Sequence, residues 1–68
     1  MKRKAIIYTF LPGLETKIKL CILIQENGKD YIYKGFYKYY PFYDIEKALS
    51  FARRYTDIIE IKKEGLRA

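Results

Sequence analysis

Sixty-eight residues, half of them apolar and 18% aromatic, suffice for one folded domain over residues 1–68 and leave no room for a second. Fourteen Lys and Arg stand against eight Asp and Glu, for a formal charge of +6. With no His and a single cysteine, Cys21, the chain has no internal disulfide framework, no Cys-based zinc site and no ordinary proton shuttle for chemistry near pH 7.

The first predicted strand runs from Lys4 to Leu11, with Ile6, Tyr8 and Phe10 on one face and Ala5, Ile7 and Leu11 on the other. Lys2, Arg3 and Lys4 before this run copy the opening of a signal peptide. Pro12-Gly13 follows, however, without a small-residue cleavage site. No apolar stretch is long enough to span a bilayer, so a cytoplasmic protein with a reduced thiol is expected. Pro12-Gly13 reads as a turn, because Pro presets the first central dihedral and Gly accepts positive φ at the second.

Lys17 to Glu26 is the second predicted strand. Asn27-Gly28 is a strong two-residue hairpin signal, and Lys29 to Lys38 returns as the third strand. That turn would set Glu26 opposite Lys29, Ile24 opposite Tyr31, Ile22 opposite Tyr33 and Leu20 opposite Gly35. These residues, with Ile18 and Tyr37, form the more apolar face and are expected to carry the core. The other face collects Lys19, Cys21, Leu23, Gln25, Asp30, Ile32, Lys34, Phe36 and Lys38. Asp44 then stands as an N-cap before a helical stripe of Ile45, Ala48, Leu49, Ala52 and Tyr55. Thr56-Asp57 end the helix, Ile58 to Lys62 form a last strand, and residues 64–68 are expected to fray. A right-handed crossover through the helix would set the last strand parallel to the first. The expected fold is α+β: a βββαβ chain with sheet order 3-2-1-4 and one helix on one face.

The densest chemical feature is Phe36-Tyr37-Lys38-Tyr39-Tyr40-Pro41-Phe42-Tyr43. Exposed rings offer stacking platforms for bases, and lysines beside them neutralise phosphates. The same rings also suit a protein interface, or a Tyr-rich plug at the end of a small core. Carboxylates show no spacing that predicts a shared site, Cys21 sits in an apolar run, and the four glycines are isolated. No catalytic residue, metal or cofactor is expected, and the protein is not expected to be an enzyme. Abundant Ile, Tyr, Lys and Glu, with one Asn and one Gln, resemble the composition of hyperthermophile proteins.

The stretch Asn27-Gly28-Lys29, Ile32 to Phe36, Asp44 to Ala48 and Phe51-Ala52-Arg53 resembles a known module. It is similar to the three-stranded-sheet-plus-helix DNA-binding domain of ethylene-response factors and phage-integrase arm-binding domains. That family reads DNA with Arg and Trp on the exposed sheet face, where this chain offers Lys19, Lys34 and Lys38. Small size, basicity and a Lys/Tyr-rich sheet are also similar to small archaeal chromatin proteins.

Two functions are therefore expected to compete. In the first, DNA or RNA binds the mixed sheet face. Lys19, Lys34 and Lys38 neutralise phosphates, Phe36 with Tyr37, Tyr39 or Tyr40 stacks on bases, and a basic arm of Lys2, Arg3 and Lys4 extends the track. In the second, Leu23, Ile32 and Phe36 are buried between subunits of a homodimer or a larger, ribonucleoprotein-like assembly.

Overall fold

The computed structural model describes residues 2–25, 28 and 35–63. Four strands and a helix follow in the order β1 (Lys2–Tyr8), β2 (Lys17–Gln25), β3 (Tyr37–Pro41), α1 (Ile45–Arg53) and β4 (Ile59–Lys62). They build one sheet in the order β3-β2-β1-β4. β1 pairs antiparallel with β2 and parallel with β4, so the α+β class and the strand order are as expected.

Alternation along each strand and the pairing register divide the sheet into two faces. One carries Ala5 and Ile7 of β1, Ile18, Leu20 and Ile22 of β2, Tyr40 of β3 and Ile59 of β4. Helix α1 covers this face with Ala48 and Ala52, both fully buried, while Ile45, Leu49 and Phe51 pack around them. Two alanines at helical spacing let the helix backbone approach the sheet closely. Ile7, Ile18, Leu20 and Ile22 are the largest fully buried side chains. Each stabilises the fold by about 1.5–3 kcal/mol through loss of apolar surface to water.

The turns and ends follow local chemistry. The amide of Leu14 donates to the carbonyl of Leu11 at 2.8 Å, and Gly13 holds φ of 81°, as the Pro-Gly pair requires. β1 stops at Tyr8 instead of Leu11, and Thr9 instead ties to β4 by donating both its amide and its hydroxyl to the carbonyl of Lys62. Asp44 occupies the N-cap position, but its carboxylate makes no cap hydrogen bond and lies 3.5 Å from the Lys47 ammonium. The helix closes at Arg53, two residues before the predicted stripe ends. Thr56 then fastens the crossover: its hydroxyl donates to the carbonyl of Arg3 at 2.7 Å and accepts from the amide of Ile58 at 3.0 Å.

The register of β3 is corrected. Cys21 pairs with Tyr37, Leu20 with Lys38 and Ile18 with Tyr40, and the amide of Ile22 donates to the carbonyl of Phe36 at 2.9 Å. Leu20 was expected opposite Gly35, three residues earlier. An odd offset turns every side chain of β3 to the other face. Lys38 and Phe36 therefore lie on the helix side, and Tyr37 on the face away from it. The rest of the predicted hairpin, including the pairs of Tyr31 and Tyr33, lies outside the described residues. So does the tail, 64–68.

Across β1 and β4, the Lys4 ammonium lies 2.8 Å from the Glu60 carboxylate. That hydrogen bond holds the Glu60 carboxyl below its ordinary value of 4.5. A carboxyl depressed in the folded state adds stability above its unfolded value, and that stability is lost as pH falls through the folded one. Glu60→Gln is accordingly expected to flatten the acid limb of the stability profile without altering stability's pH dependence at neutral pH. Urea midpoints measured on both sides of pH 4.5 check this.

Candidate functional site

The face turned away from α1 is built by the residues that alternate with the core. It carries Lys2, Lys4, Ile6 and Tyr8 of β1, Lys17, Lys19, Cys21, Leu23 and Gln25 of β2, Tyr37 and Tyr39 of β3, and Glu60 and Lys62 of β4. Glu60 is the single carboxylate among the described strand residues of this face, and it is held by Lys4. Ile6 and Cys21 at its centre are buried, so the face presents mainly lysine and tyrosine.

The half of this face beside the β3 edge is the most organised. Tyr37 and Tyr39, 53% and 42% exposed, meet edge to face with centroids 5.6 Å apart. The Lys19 ammonium lies 4.3 Å from the Tyr37 centroid and 5.7 Å from that of Tyr39, and the Lys17 ammonium lies 5.9 Å from Tyr39. Cation–π attraction of about 0.5–1 kcal/mol at such exposed sites orients the lysines and leaves their charges uncancelled. Neither Lys17 nor Lys19 has a carboxylate partner among the described residues. A cavity of about 200 Å³ opens beside Tyr39, lined by Thr16, Lys17, Tyr39, Tyr40 and Pro41.

Of the residues singled out from the sequence, Lys19, Tyr37 and Tyr39 come together here, and Lys2 and Lys4 share their face. Lys2, Arg3 and Lys4 form no separate arm; they are the first residues of β1. Arg3 points to the helix side, its guanidinium 6.0 Å from the Tyr55 ring. Phe36 packs edge-on against Phe51 and Tyr55 at 6.0 and 5.1 Å, and Tyr40 is a core residue only 8% exposed. Lys38 lies 4.8 Å from the Phe51 ring, on the helix side. Each of these four is displaced from the expected face by β3 register or strand parity. Lys34 lies outside the described residues.

Lys17 and Lys62 were missed as site residues. The two-residue period already placed Lys17 beside Lys19, whereas Lys62 needed the parallel register of β4. The apolar patch of Leu23, Ile32 and Phe36 is not assembled as expected, since Phe36 and Leu23 lie on opposite faces; Ile32 is outside the described residues. Among the described residues, no three metal-ligating side chains converge, and no helix is long and apolar enough to cross a membrane. Comparison with known proteins finds no matching family model, no similar curated protein and no similar solved structure.

Proposed function

We propose that this protein is a non-catalytic nucleic-acid-binding module that takes a single strand of DNA or RNA across the sheet face opposite its helix. The observation that carries this reading is the cluster of Lys17, Lys19, Tyr37 and Tyr39: two half-exposed rings beside two ammonium groups that have no carboxylate partner among the described residues. Rings supply sequence-tolerant stacking, and lysines supply phosphate neutralisation with counterion release. The cavity beside Tyr39 leaves space for a base or sugar at the strand edge.

Lys2, Lys17, Lys19 and Lys62 share the face without a carboxylate partner among the described residues. Neutralising four phosphates predicts a log–log salt slope of about −2.8 on single strands and about −3.6 on duplex. Fluorescence anisotropy with labelled single-stranded DNA, RNA and duplex oligomers, titrated across salt, measures it. Binding to single strands that is tighter than to duplex at matched salt is expected. Absence of binding to all three at low salt overturns the proposal.

A further inference from the structure

On the helix side of the same edge strand lies a cavity of about 230 Å³, lined by Lys38, Tyr40, Lys47, Ser50, Phe51 and Arg54. We infer that this cleft is a second, separate site that binds a phosphoryl group. It rests on its own geometry and not on the nucleic-acid face.

Three cations line the cleft, and one of them, Lys47, lies 3.5 Å from the Asp44 carboxylate. Lys38 and Arg54 have no carboxylate partner among the described residues. Lys38 instead rests over the rings of Phe51 and Tyr40, at 4.8 and 5.4 Å, which fixes its ammonium at the cleft. Arg54 brings a planar fork suited to two oxygens of one phosphoryl group.

The hydroxyls complete the donor set. Neither Tyr40 nor Ser50 has a side-chain hydrogen bond among the described residues. Burial pushes the Tyr40 phenol above its ordinary value, so it stays protonated and able to donate. The cleft is also large enough for such a ligand. The cleft falls below the roughly 300–1,000 Å³ of drug-sized sites yet far exceeds a single water at about 30 Å³. A phosphoryl group with part of its carrier matches it, either the end of a small phosphorylated molecule or a backbone phosphodiester turning around the β3 edge.

Inorganic phosphate titrated into the full chain, followed by NMR at the Arg54 guanidinium and the Tyr40 and Phe51 rings, tests the site. Sodium chloride at matched ionic strength serves as the control. Saturable shifts are expected, with half-saturation on the order of 1 mM. In a Lys38→Met, Arg54→Gln double variant, binding is expected to weaken at least about tenfold, since either of the two charge-assisted contacts removed is alone worth about that much. Both positions are exposed, and an unchanged far-ultraviolet spectrum confirms folding. The shifts are read at helix-side residues, and Lys63→Gln, an exposed cation in neither site, is expected to leave them unchanged, so failure here and failure of the nucleic-acid face are told apart. Ribose 5-phosphate set against an oligonucleotide without a terminal phosphate identifies the carrier. Stronger dependence on Lys38 and Arg54 for the first marks a monoester, and for the second a backbone diester. Shifts that do not saturate, or that persist in the double variant, overturn the inference.

Discussion

Gly35→Ala is expected to lower stability by about 3–4 kcal/mol, enough to leave a domain of this size largely unfolded in mild urea. A β-carbon at this position would overlap the carbonyl oxygen of Ile22 and stand 2.6 Å from its carbonyl carbon. Both atoms belong to the backbone of β2, an interior strand, and cannot rotate aside as a side chain would. Relief requires β3 to move away, which breaks the hydrogen bond from the Ile22 amide to Phe36 and loosens the pairing behind it. Gly13→Ala is the control. Its φ of 81° is strained for alanine, but nothing lies within 4 Å, so a loss of only about 1–2 kcal/mol is expected. Urea unfolding followed by tyrosine fluorescence compares the two, and equal midpoints would refute the close-approach argument.

Tyr37→Ala is expected to weaken single-strand binding by roughly 10- to 100-fold, the loss of one base-stacking platform worth about 1–3 kcal/mol. Tyr37→Phe keeps the ring and is expected to bind within about twofold of the parent, because the π-face carries the stacking and not the hydroxyl. Lys19→Gln acts differently. It is expected to reduce the salt slope by about 0.7 while leaving any base preference alone. The ring is 53% exposed on a face the helix does not cover, so its removal changes folding little. If Tyr37→Ala and Tyr37→Phe bind equally well, the ring does not stack and the Lys/Tyr cluster is only a solvated surface.

The six aromatics between residues 36 and 43 show how far local reading reaches. Their density announced that some must be exposed, and five are: Phe36, Tyr37, Tyr39, Phe42 and Tyr43 lie at the surface at 40–75%. Tyr40 closes the core, and Phe36 joins Phe51 and Tyr55 beside the helix. Which ring goes where was misassigned, because the face of every β3 residue hangs on a single integer, the register against β2. The basic face suffered the same exchange. Lys38 left it for the cleft, Tyr37 entered it, and Lys17 and Lys62 joined Lys19.

The order of elements, the parallel return of β4 and the Ile18, Leu20 and Ile22 face beneath the helix were legible before any coordinates. Each depends on local causes: alternation of apolar side chains, the Pro12-Gly13 turn, and the alanine spacing of α1. The β2–β3 pairing was not legible. Its register places three more residues between Ile22 and its partner than an Asn-Gly reversal allows. A strand's register is chosen by packing across the sheet, where the helix accepts Tyr40 and Phe36 and where Gly35 alone fits against Ile22. Turn propensity acts over a few residues, and the pairing of Tyr37–Pro41 with β2 lies beyond its reach. The assignment of Lys38 and the β3 tyrosines to either side of the sheet therefore came from the folded chain alone.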